Sequence, residues 1–213
     1  MKTRFIREFK TGIRATTLRS AQCRRSEVHL IFGNGPDPVG TTALLDVLRR
    51  HGVAATFFLN AEAARRFPDA VDAIVVDGHL MGNDFTRQEL SGCQGNLAQW
   101  EEMRVADRVL RRHDHIWHHP SRPPRGGFRT AFGFWLALRG RDPVHWSLDS
   151  GDSECSDVDE LITHLREYPP GPGDVLLFHD DSPVTPRALE QLLPEWKAAG
   201  LTFAVLPGWD SKK

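Results

Sequence analysis

Five short segments of this 213-residue chain concentrate histidine, aspartate, arginine and asparagine: GNGPDP at 33–38, GNDFTRQ at 82–88, HHPSRPPRGG at 118–127, DSGDSE at 149–154 and HDDS at 179–182. Such side chains move protons near neutral pH, clamp anions or ligate metals. A further run, His113, His115, His118 and His119, leads into Arg122. On a strand, His113 and His115 would share a face and could hold a metal. Without a Cys, Asp or Glu partner at fixed spacing, they read more simply as surface imidazoles beside Asp114. His118 and His119, nearer the expected strand end, are candidates for substrate contact. The three cysteines, Cys23, Cys93 and Cys155, are odd in number and form no C-x-x-C pair, which fits small neutral residues in a reducing compartment. No P-loop, dinucleotide fingerprint or G-x-S-x-G elbow occurs, so nucleotide-dependent and serine-hydrolase chemistry lack support.

The elements that must position these groups alternate between two periodicities. Runs 27–32, 54–59, 79–81, 115–117, 143–148, 174–178 and 202–206 read as seven strands. Between them, 41–51, 69–76, 97–112, 130–139, 157–167 and 186–199 repeat apolar residues at helical spacing, and Gly52, Gly78 and Gly200 follow helices as left-handed caps. Strands alternating with helical crossovers imply a parallel sheet, and such sheets place chemistry at the carboxyl ends of their strands. The five segments stand just there.

At 40% hydrophobic and 26% charged residues the composition is that of a globular domain, and no apolar run is long enough to span a membrane. A formal charge of −1 argues against a nucleic-acid-binding surface. Residues 1–25 hold eight basic side chains against Glu8 alone and lack the apolar core of a secretory signal. They are read as a basic N-terminal extension on a domain spanning 26–213, and the protein as cytoplasmic; an organellar leader is the alternative.

In order and content, the five segments resemble the motifs of the polysaccharide deacetylase family, the NodB-homology domain or carbohydrate esterase family 4, over about residues 27–207. Ile31-Phe32-Gly33-Asn34-Gly35-Pro36 is similar to its T-F-D-D-G-P. Gly82-Asn83-Asp84-Phe85-Thr86-Arg87-Gln88 stands for its histidine motif, Arg122-Pro123-Pro124-Arg125-Gly126 for R-P-P-x-G, and Leu177-Phe178-His179-Asp180 for L-x-H-D. A weaker match lays Asp149 and Asp152 on D-x-x-D-W. The resemblance implies an α/β fold: a distorted, incomplete (β/α) barrel of about seven parallel strands. It also implies metal-assisted removal of N-acetyl groups, with an Asp and two His on the ion, a second Asp as base and the last His as acid.

Residue by residue, this sequence departs from that machinery. The base position holds Gly33, and the metal positions hold Asn34, Asp84 and Gln88. These offer three oxygens and one negative charge, a poor set for zinc and little better for magnesium or calcium. The acid half persists as His179, with Asp149 expected to orient it. Arg122, whose family partner is absent, is expected to be free to clamp an anionic group, and Asp84 to be available as a base. Asn34, His119, Gln88 and Trp117 complete the candidate substrate contacts, and Phe85, Phe128, Phe132, Phe134 and Trp135 could line an apolar pocket. Each has a plainer role: a polar rim for His179 and Asp149, a loop cap for Arg122, a turn for Asn34, core for the aromatics.

The expectation is a metal-independent acid–base enzyme of isomerase, cyclase or lyase type, with no cofactor, acting on a small molecule with an anionic or polar group. Two alternatives stand: a hydrolase of acylated amino sugars with an atypical site, and a non-catalytic binder.

Overall fold

The structure, a computed structural model, describes residues 27–84, 96–122, 136, 141 and 144–208. Seven strands, all parallel where paired, form one sheet: β1 (Glu27–Gly35), β2 (Thr56–Leu59), β3 (Leu80–Asp84), β4 (Ser121–Arg122), β5 (Leu148–Asp149), β6 (Val175–His179) and β7 (Thr202–Phe203). The sheet order is β4-β3-β2-β1-β6-β5, with β7 pairing the start of β1. The helices are α1 (Gly40–Arg50), α2 (Ala61–Arg66), α3 (Pro68–Val76), α4 (Asn96–Asp114), α5 (Val158–Glu167) and α6 (Thr185–Ala198). The sheet curls into the expected half-barrel.

Period-two alternation divides the core and thereby positions the site. Leu30, Phe32, Leu176 and Phe178 join the large cluster packed with the helices, and Phe32 stacks on Phe57 and Phe178 at centroid distances of 4.9 and 5.9 Å. Ile31, Phe58, Leu80, Val175 and Leu177 form a second cluster on the other face. Residues two further along these strands share that second face. Gly33, Asp84 and His179 therefore surface at its carboxyl-terminal rim, where Gly33 is the register partner of His179 and Asp84 that of Arg122.

Local signals explain most boundaries. Asn60 caps α2 by accepting from the amides of Glu62 and Ala63, and Asp157 caps α5 through Asp159. Gly52, Gly78 and Gly200 have φ of 56°, 80° and 89°, as their positions after helices require. The fourth and fifth strands depart from expectation: of the run expected at 143–148, residues 144–147 are not strand and β5 is only Leu148–Asp149. α4 runs on to Asp114, His115 turns the chain at φ 63°, and the strand is the two-residue β4, so 115–117 is not a strand. Of the helix expected at 130–139, all but Leu136 lies outside the described residues. No helix among the described residues is long and apolar enough to cross a membrane.

Candidate functional site

At the rim, His179 is 4% exposed and doubly held by Asp152. Its Nδ1 lies 2.7 Å from Asp152 Oδ1, and its backbone N–H donates to Asp152 Oδ2 at 2.8 Å. Thr185 Oγ1 donates to that second oxygen at 2.5 Å, so Asp152, fully buried, has both oxygens engaged. A carboxylate at Nδ1 keeps the proton there in the neutral ring and leaves Nε2 as the working nitrogen. Nε2 has no hydrogen-bond partner among the described residues.

Asp149 is not the orienting carboxylate. It ends β5 opposite Leu177, is exposed, and accepts from the Gly151 amide at 3.1 Å. Gly151, at φ 73°, turns the chain so that Asp152 reaches behind His179. The D-S-G-D spacing contains that signal, but the strand-end position of Asp149 outweighed it.

Arg122 is not free, and Asp84 is not an available base. The Arg122 Nε and Nη2 donate to Asp84 Oδ1 and Oδ2 at 3.1 and 2.8 Å, a buried two-point pair. The Asn34 amide adds a bond to Oδ2 at 3.0 Å, from a backbone at φ 70°. The guanidinium lies over Gly33: a Cβ built there would fall 2.4 Å from both Nη1 and Nη2. The guanidinium's charge is thus met by a carboxylate on β3 and not by one on β1. Trp146 lies beside the same group, its ring centroid 5.9 Å from the guanidinium carbon. The Asn34 side chain turns outward to Asp181 at 3.3 Å.

These contacts also decide whether the family's metal fits. A cation is already bound to both oxygens of Asp84, and Asn34 adds only a neutral amide, engaged with Asp181. The residues do not fit a divalent ion. Among the described residues no group of three His, Cys, Asp or Glu could hold one; Gln88 and the aromatics at 85, 128, 132, 134 and 135 lie outside them.

His119 and Trp117 precede β4, at the amino end of the strand, and take no part in the rim. His119 is buried, with Nε2 2.9 Å from Asp114 Oδ2 and Nδ1 3.5 Å from Asp107 Oδ1, an ion-pair distance beyond hydrogen bonding. Burial alone would lower its pKa, but the two carboxylates outweigh that and raise it. Asp107 likewise resists burial because His119 and Arg141 hold its pKa low. Arg141 donates to Asp107 Oδ2 from both Nη atoms at 2.7 Å and Asn83 Nδ2 reaches Oδ1 at 3.3 Å, tying α4 to β3. Trp117 is 70% exposed, with the Arg111 guanidinium 3.8 Å above its ring. His113 lies in the last turn of α4 and pairs with Asp72 at 2.6 Å, while His115 sits in the turn at φ 63°, so the two do not share a strand face as an H-x-H ligand pair; His118 lies 2.9 Å from Arg141.

Asp180 escaped the sequence reading. Fully buried against Gly35 and Gly40, it accepts from Thr41 Oγ1 at 2.6 Å, while Oδ1 has no partner among the described residues. Burial, which disfavours the charged form, raises its pKa to about 7.

Residues 21–137 match the model of the polysaccharide deacetylase family. A peptidoglycan-N-acetylglucosamine deacetylase of Bacillus cereus is 30% identical over 202 residues, covering 88% of this chain and 70% of its own. A chitooligosaccharide deacetylase of a Bradyrhizobium species is also 30% identical, covering 84% and 89%. The crystal structure of a peptidoglycan N-acetylglucosamine deacetylase superposes with a TM-score of 0.81 at 28% identity, over 89% of this chain and 90% of that one. A carbohydrate esterase family 4 pseudoenzyme from Bacillus anthracis shares the fold, with a TM-score of 0.78 at 19% identity over 88% of this chain and 66% of its own.

Proposed function

This chain belongs to the polysaccharide deacetylase family, and from that premise we propose that it is a divergent member in which His179 transfers a proton without a metal on a small polar, sugar-like molecule. The observation that carries this reading is the His179–Asp152–Thr185 arrangement: a buried imidazole fixed at Nδ1, on the strand position that pairs Gly33, over which the Arg122 guanidinium lies. Asp152 would stabilise the imidazolium formed when Nε2 takes a proton, an arrangement worth about 10²–10⁴ in rate. Arg122 Nη1, without a hydrogen-bond partner among the described residues, would donate to the oxygen on which charge develops. Proton removal from one carbon, with return to its other face or to the neighbouring atom, is the chemistry of an isomerase; removal followed by departure of a leaving group from the next carbon is that of a lyase, and removal from a hydroxyl that then attacks within the same molecule is that of a cyclase.

The test is exchange in D₂O. Sugars and their N-acetylated forms are incubated with the protein in chelator, and substrate C–H signals and free acetate are followed by proton NMR. The expected result is loss of one C–H signal without acetate, slowed at least a hundredfold in His179→Ala. Exchange at the wild-type rate in that variant, or acetate release on adding metal, overturns the proposal. The sealed Asp84–Arg122 pair favours a second reading, a sugar binder without turnover, which predicts binding but no exchange.

A further inference from the structure

Among the described residues the rim contains one arginine, and its charge is spent. Arg122 is nine-tenths buried and meets Asp84 through two hydrogen bonds, so the two charges cancel within the pair. What it still offers is Nη1, a hydrogen-bond donor lying over Gly33, beside the register partner His179. The other charged groups described on this edge are acidic. Asp149 ends the strand next to β6, and Asp181 follows His179 on the opposite side, held by Asn34. His179 itself is 95% buried at its side chain, with Nε2 unpartnered among the described residues. Among the described residues a ligand here finds one donor, one imidazole nitrogen and two uncancelled carboxylates.

We infer that Asp84 sets the charge selectivity of the site: by neutralising Arg122 it admits neutral or cationic polar ligands and turns away carboxylates and phosphates. The inference rests on the reading that a small polar molecule binds at this rim, and of the anionic or polar group expected on the substrate it selects the polar one. A bare guanidinium is a fork for carboxylate or phosphate. Paired with Asp84 it becomes a donor without net charge. An anion bound beside Nη1 would face Asp84, Asp149 and Asp181, whereas a hydroxyl can accept from Nη1 and an ammonium can donate to the exposed carboxylates.

The experiment titrates glucosamine, glucose and glucuronate at neutral pH and low salt, reading the His179 ring nitrogens by NMR. Glucosamine and glucose are expected to shift those signals, with glucuronate at least tenfold weaker. In Asp84→Asn, which uncovers Arg122, glucuronate should gain at least tenfold and overtake the neutral sugar. The double variant Asp84→Asn/Arg122→Gln, with both buried charges removed, should retain the wild-type order. If Asp84→Asn does not fold, the wild-type order alone decides. Glucuronate binding as tightly as glucosamine in wild type overturns the inference, as does a folded Asp84→Asn that keeps the original order, or His179 signals indifferent to all three sugars. Binding is read without turnover. Charge selectivity without D₂O exchange would leave the inference standing and defeat the catalytic reading; exchange without selectivity would do the reverse.

Discussion

At the scale of the residue, the site turns on which of two aspartates meets His179. Asp152 accepts three hydrogen bonds in a buried pocket, whereas Asp149 accepts one at the surface. Asp152→Asn keeps the shape but exchanges one accepting oxygen for a donor, beside a backbone N–H and a hydroxyl that both need acceptors. It should destabilise the protein by about 2–3 kcal/mol and slow any His179-dependent exchange at least a hundredfold. Asp149→Asn should stay within about 0.5 kcal/mol of wild type. Urea unfolding and D₂O exchange measure both. The sequence placed His179 at a strand end correctly, because a strand's period of two fixes its face. It could not choose between carboxylates three residues apart, since that choice is made by the turn at Gly151. Nor could it reveal that Arg122 pairs with Asp84 on β3, a contact across 38 residues of chain.

Among the elements, the strands with long apolar runs were legible and the short one was not. β1, β2 and β6 are buried on both faces and read as continuous β-rich segments. β4 has two residues, Ser121 and Arg122, and no hydrophobic pattern. It is placed by polar tertiary bonds: the buried network of His119, Asp107, Asp114 and Arg141 fixes the end of α4 against the chain entering β4. This network gives stability a defined pH course. His119 has a folded pKa above its ordinary 6.5, so its contribution is fully present below about pH 6.5 and is lost as pH rises through the folded value. Asp107 is held below 3.8, so its contribution is present above that value and lost as pH falls further. His119→Gln should therefore cost most near pH 6, on the order of 1–2 kcal/mol, and progressively less towards pH 9. Denaturant midpoints across that range check it, and a cost that grows with pH would contradict the assignment.

For the molecule as a whole, the sheet and its two hydrophobic clusters supply the scaffold behind the rim. A site holding zinc at a hundred times its Kd would add about 2.7 kcal/mol and several degrees to Tm. The tag-free protein should melt within about 1 °C in chelator and in excess zinc or cobalt. A larger rise with metal would reopen the hydrolytic reading. The expectation follows from Gly33, whose side-chain space is filled by Arg122. That occupancy also governs which substitutions the site tolerates. An aspartate introduced at position 33 would draw Arg122 away and strand Asp84 as a buried carboxylate, while removing Asp84 first would strand Arg122. Either single change passes through a less stable protein, so the present site is easier to elaborate than to convert into a metal site.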